Sequence, residues 1–167
     1  MVRAVAAAGV FMLACLSSAC GAPVDLKKTL QIADAAGGWF DAGIVEGRNK
    51  LVPSITFKVR KFTNDNLRPL SLNVVFKRLP AASAPAGTGE EDWEEVFLQN
   101  VTFNGNESAP LTVRPNHGYT GDPPQSRAEM LKNSQFRDIR VHIFAKHSSS
   151  QWVEIAQNDL PRQLLTQ

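Results

Sequence analysis

Ser54-Ile55-Thr56-Phe57-Lys58-Val59-Arg60 is the stretch that decides how this chain folds. Ile55, Phe57 and Val59 share one phase of a two-residue repeat and Thr56, Lys58 and Arg60 share the other, the pattern of a strand with one face in a core and one in water. Leu70, Leu72, Val74 and Phe76 repeat the alternation against Ser71, Asn73 and Lys77. Thr63-Asn64-Asp65-Asn66 between them reads as a turn, so the simplest arrangement is an antiparallel pair with one wet, basic face.

Working outward, further strands follow. Upstream, Thr29 to Ala33 alternates weakly, and Leu26, Leu30 and Ala33 would equally line a helix. Gly37-Gly38 break the chain before Trp39, and Asp41 to Asn49 reads as loop or hairpin. Downstream, Leu79 to Gly89 is a mobile loop rich in Ala, Pro, Ser and Gly. The acids Glu90, Glu91, Asp92, Glu94 and Glu95 lead into a strand over Val96 to Phe103, Asn104-Gly105 turns the chain, and Ala109 to Arg114 is extended. Pro115 to Pro124 is a second long loop. Ser126-Arg127-Ala128-Glu129 fits a capping box and predicts one short helix. Ile139, Val141, Ile143 and Ala145 alternate with Arg140, His142 and Lys146, and Gln151 to Ala156 forms a last strand across a serine turn. Phe144 falls on the polar phase of its strand, where a loop covers it or it marks an exposed apolar contact.

Six to seven short strands with one short helix predict an all-β fold, an antiparallel β-sandwich of immunoglobulin-like type, with a small barrel as runner-up. The domain spans 29–167.

The first nineteen residues read as a signal peptide. Arg3 precedes an apolar run from Ala4 to Leu16, and Ser17, Ser18 and Ala19 lead into Cys20. That run is far short of the roughly 20 apolar residues that cross a bilayer. Both cysteines, Cys15 and Cys20, fall in this segment, so the body has no disulfide to make, and a domain of this length buries a sizeable core without one. Removing Arg3 from the 18 basic residues leaves 17 against 16 acidic ones, a balance that argues against nucleic acid as a partner.

The segment Leu16 to Gly21 resembles the lipobox of bacterial lipoproteins, with Ser17 where such boxes usually carry Leu. The resemblance implies that Cys20 is acylated and becomes the first mature residue, with residues 20–28 as a lipid tether. Met12-Leu13-Ala14 before Cys15 makes that residue a second acceptor, and ordinary signal-peptidase cleavage also fits. The run from Ile55 to Leu79 resembles the FxLyD-type and related immunoglobulin-like modules of bacterial exported proteins. The body resembles uncharacterised lipoproteins that share Gly-Tyr-Thr-Gly and Phe-Ala-Lys-His, here Gly118 to Gly121 and Phe144 to His147. The resemblance implies a fold and a compartment, the membrane-anchored cell envelope facing the periplasm or exterior, and transfers no catalytic residue.

His117, Tyr119, Thr120 and Asp122 form the candidate binding loop, since an aromatic with hydrogen-bonding neighbours between glycines suits a recognition surface on a rigid scaffold. The bland alternative is that Tyr119 folds back as packing. His117, His142 and His147 show no metal or catalytic spacing, and His142 reads as a solvated ring. No nucleophile elbow, P-loop or dinucleotide fingerprint occurs. The acid cluster is a charged strand edge more readily than a calcium site. Lys58, Arg60 and Lys77 are an ordinary wet face or a patch for anionic headgroups. Trp39, Trp93 and Trp152 read as packing. The expectation is a non-catalytic interaction module without cofactor, held at the membrane by lipid and meeting another envelope protein. The alternatives are a soluble binder of a small apolar or glycan ligand in a cavity beside the tryptophans, and an enzyme.

Overall fold

The computed structural model describes residues 24–165. The expected signal peptide and Cys20 lie outside the described residues. The body is a two-sheet antiparallel β-sandwich. Six strands have seven or more residues: β1 (Leu30–Val45), β2 (Arg48–Lys61), β3 (Leu70–Arg78), β4 (Glu91–Leu98), β9 (Ile139–His147) and β10 (Val153–Asp159). Four are fragments of two or three residues: β5 (Phe103–Asn104), β6 (Glu107–Ser108), β7 (Leu111–Val113) and β8 (Tyr119–Gly121). Sheet B has the order β10-β9-β3-β4, and in sheet A β2 pairs with β1 on one side and with β8, β7 and β6 in turn on the other. The two sheets stay separate, so the barrel alternative falls away.

Alternation did identify the buried residues. Ile55, Phe57 and Val59 from β2 meet Leu72, Val74 and Phe76 from β3 and Val141, Ile143 and Ala145 from β9 in one core, all essentially free of solvent contact. Each large side chain placed there contributes about 1.5–3 kcal/mol of transfer free energy. The expected pairing of β2 with β3 is corrected: they lie in opposite sheets and face each other across the core. Residues 62–69 form an arch between the layers, anchored by buried Leu67, rather than a hairpin turn. The hairpin lies one strand earlier, where Glu46 at φ 52° and Gly47 at φ 77° join β1 to β2 in the left-handed turn geometry that matches strand twist.

Gly37-Gly38 do not break the chain as expected; they lie inside the 16-residue β1. A Cβ on Gly38 would sit 2.8 Å from the Gln163 carbonyl, so the absent side chain is what lets the C-terminal tail lie against the strand. The Trp39 N–H donates to the Gln163 carbonyl at 2.8 Å and the Leu165 N–H to the Trp39 carbonyl at 2.9 Å. Because both Trp39 backbone groups turn toward the tail, its cross-strand partner Pro53 aims its donorless nitrogen away from β1, into the interval between β8 and β7. A proline in a central strand thus interrupts no ladder.

Two helical turns complete the fold, α1 (Leu26–Thr29) and α2 (Arg127–Lys132). The capping box of α2 forms as read: the Ser126 hydroxyl accepts from the Glu129 N–H at 3.2 Å, and the Glu129 carboxylate accepts from the Ser126 N–H at 2.6 Å. Met130 and Leu131 are buried against the sandwich end.

Candidate functional site

The loop singled out in the sequence is partly strand. Tyr119 to Gly121 pair with Leu51 to Asn49 as β8, which points Tyr119 inward and leaves Thr120 exposed opposite Lys50. The Tyr119 ring stacks on Phe136 at 4.3 Å between centroids and also meets Trp39 and Trp93. Its hydroxyl accepts from the Arg137 N–H at 2.9 Å and donates to the Arg137 carbonyl at 3.2 Å, and burial pushes the phenol pKa up. Tyr119 is therefore a packing residue with both hydrogen-bonding roles of its hydroxyl used.

His117 and Asp122 diverge from it. The His117 ring is exposed, with Nδ1 2.6 Å from Glu94, and the same carboxylate accepts the backbone N–H groups of Asn116 and His117 at 2.8 Å each. Burial pushes the Glu94 carboxyl upward, but these donors outweigh it and hold the group below the usual glutamate range. Asp122 pairs with Arg48 at 2.7 Å. Tyr119 and Thr120 line a shallow cleft of about 150 Å³ with Met130 and Phe136, to which His117 and Asp122 do not contribute.

The basic face resolves into separate pairs. Lys58 meets Asp34 at 2.8 Å and Arg60 meets Glu107 at 2.8 Å on sheet A, whereas Lys77 meets Asp92 at 3.0 Å on sheet B. A continuous patch for anionic headgroups is not formed by these three. The acid cluster is likewise more than a solvated edge. Glu90 bonds His142 and Arg140, Glu91 bonds Arg137 at 2.9 Å, Glu94 caps the 116–117 loop, and Glu95 accepts from Asn73 Nδ2 at 2.7 Å.

His142 corrects the expectation of a solvated ring. It is buried, with Nδ1 2.6 Å from Glu154 and Nε2 2.8 Å from Glu90. Arg140 extends the chain of charge to Asp159 at 2.6 Å. Desolvation raises the Glu154 carboxyl, but bonds from His142 and Gln157 bring it below its ordinary value, and the Arg140 guanidinium does the same for Asp159. The imidazole holds its two carboxylates on opposite ring nitrogens, and among the described residues no group of three or more His, Cys, Asp or Glu side chains is placed to hold a metal ion. His147 lies on the other phase of β9, and Asp41 is bonded to Arg127 at 3.0 Å, so the three histidines and Asp41 share no partner.

The concave surface lies elsewhere, on the outer face of sheet B. Ladder register gives it three rows: Phe97, Asn73, Phe144 and Glu154; then Glu95, Val75, His142 and Gln157; then Asp92, Lys77, Arg140 and Asp159. Trp152 folds over this face from just before β10 and meets Phe97 at 5.9 Å, while the Lys146 ammonium sits 5.7 Å from its ring. The result is a groove of about 460 Å³ with Asn73, Val75 and Lys77 along one strand and Phe144 and Trp152 beside it. Phe97 and Trp152 are 53% and 39% exposed, an unusual outlay of aromatic area for a wet sheet face. Sequence reading registered only Phe144, out of phase on β9; Phe97, between inward Val96 and Leu98, carries the same signal.

No family model matches the chain, and no curated protein or solved structure matches it either. No helix among the described residues is long and apolar enough to cross a membrane.

Proposed function

We propose that this protein is an exported, non-catalytic binding module of the cell envelope, held at the membrane by acylation of Cys20, and that its contact surface is the outer groove of sheet B. The observation that carries the reading is that Phe144 and Trp152 line a cleft of ligand-pocket size on the outer face, with exposed Phe97 against Trp152 at 5.9 Å. The resemblance of residues 16–21 to a lipobox and of the body to exported immunoglobulin-like modules supports the compartment. The interior supports a surface site over an enclosed one: Trp39, Phe57 and Phe76 are fully buried between the sheets, in the space that an internal ligand would need.

Two measurements test this reading. Mass spectrometry of the mature N-terminus, with Cys20→Ala as control, is expected to find a diacylglyceryl mass on Cys20; an unmodified thiol on a freely soluble product removes the anchor. Crosslinking in intact envelopes is expected to lose its partner band on Trp152→Ala and to keep it on Thr120→Ala and Asp122→Ala. The opposite pattern places the contact on the 117–122 loop instead.

A further inference from the structure

We infer that the sheet B groove takes a lysine or arginine side chain of a partner protein, the aliphatic stem over Val75 and Phe144 and the cationic head against Glu95. The inference rests on the groove reading above and names what fills it.

Charge is the first ground. The residues lining the groove include one lysine against three carboxylates, Asp92, Glu94 and Glu95. Lys77 is matched by Asp92 at 3.0 Å, and Glu94 is spent on the 116–117 loop. Glu95 remains, and among the described residues no basic group pairs with it; its one bond is from the neutral Asn73 amide. Glu95 is exposed at the edge of the groove, where its uncompensated charge draws a cation toward the apolar walls beside it.

Asn73 is the second. Its Nδ2 must face Glu95, because a carboxylate needs a donor, and this fixes the amide against a flip. Oδ1 is turned away from Glu95 and closed off from solvent, so it takes no part in the groove. Asn73 bonds Glu95 Oε2 alone and leaves Oε1 to accept from an entering N–H group. A guanidinium or ammonium supplies that donor together with the opposite charge.

The aromatic walls are the third. Trp152 already holds the Lys146 ammonium 5.7 Å from its ring centre, so the ring faces on this surface attract cations. A long stem with a charged head is the side-chain shape that covers Val75 and Phe144 while placing charge at the rim.

The test titrates the full chain with four blocked tripeptides, N-acetyl-Gly-X-Gly amides in which X is arginine, lysine, norleucine or glutamate, following the Trp152 indole resonance by NMR. Arginine and lysine probes are expected to bind at least tenfold more tightly than the norleucine probe, with the glutamate probe silent, and Glu95→Gln is expected to remove that tenfold preference. The Trp39 indole resonance, unchanged, certifies that each variant is folded. If norleucine moves the Trp152 resonance as tightly as arginine does, the cation is overturned while the groove stands. If no probe moves the Trp152 resonance, both the cation and the groove fall.

Discussion

Two aromatic clusters share this sandwich, and they are put to opposite uses. At the rim, Trp39, Tyr119, Phe136 and Trp93 pack ring against ring, with Trp39 fully buried and the Tyr119 hydroxyl bonded twice to Arg137. On the outer face of sheet B, Phe97, Phe144 and Trp152 stand partly in water near Glu95, a carboxylate that no basic group among the described residues pairs with. Each cluster adjoins a sealed polar atom without a partner, Trp39 Nε1 and Asn73 Oδ1, so that feature does not separate them; the unpaired Glu95 does. An aromatic group packed ring against ring in the interior is structure; one at the surface beside an unmet charge is available for recognition.

The largest effect that bears on this contrast is Trp39→Ala. It deletes a fully buried ring from the rim cluster and is expected to cost about 3–5 kcal/mol, read by chemical denaturation. A loss below about 1 kcal/mol would mean that the rim is not the structural cluster. The next is His142→Ala, which leaves Glu90 and Glu154 facing each other across the vacated ring without the hydrogen bonds to it and is expected to cost about 2–3 kcal/mol. The same pair sets an acid limb. Glu154 is depressed in the fold, so its contribution is present above its ordinary value of 4.5 and is lost as pH falls through the lower folded one. Stability is expected to decline below about pH 4.5, and Glu154→Gln to flatten that decline in a pH series of denaturation midpoints.

Tyr119→Phe keeps the ring and removes two hydrogen bonds to Arg137, and is expected to cost about 1–2 kcal/mol with no loss of binding. Ser126→Ala removes the cap of α2 at about 1 kcal/mol, seen as a lower thermal midpoint. Smallest is Trp152→Ala, expected within about 0.5 kcal/mol of the parent chain while it abolishes groove binding. A variant at Trp152 that unfolds the chain would erase the distinction between the clusters.

Much of the sandwich was legible because burial alternates along a strand. Ile55 to Val59, Leu70 to Phe76 and Ile139 to Ala145 declared which side is core, and Ser126 with Glu129 declared a helix start. Alternation does not say which strand is the neighbour, and so β2 and β3 read as a pair when they are opposite walls. His142 read as wet because its partners, Glu90 and Glu154, lie 52 and 12 residues away and no local pattern names them. Gly37-Gly38 read as a break because the tail that needs their bare backbone is more than a hundred residues downstream. The groove left a trace only in Phe97 and Phe144, apolar side chains on the wrong beat.

The docking of the tail on β1 has a consequence for how the molecule is made. A chain made amino end first presents β1 more than a hundred residues before the tail, yet the flank of that strand at Trp39 closes only when Gln163 and Leu165 arrive. The seam therefore waits for residues 163–165, and contacts of such long sequence separation slow its closure. Until they dock, the backbone N–H and carbonyl of Trp39 must be met by water.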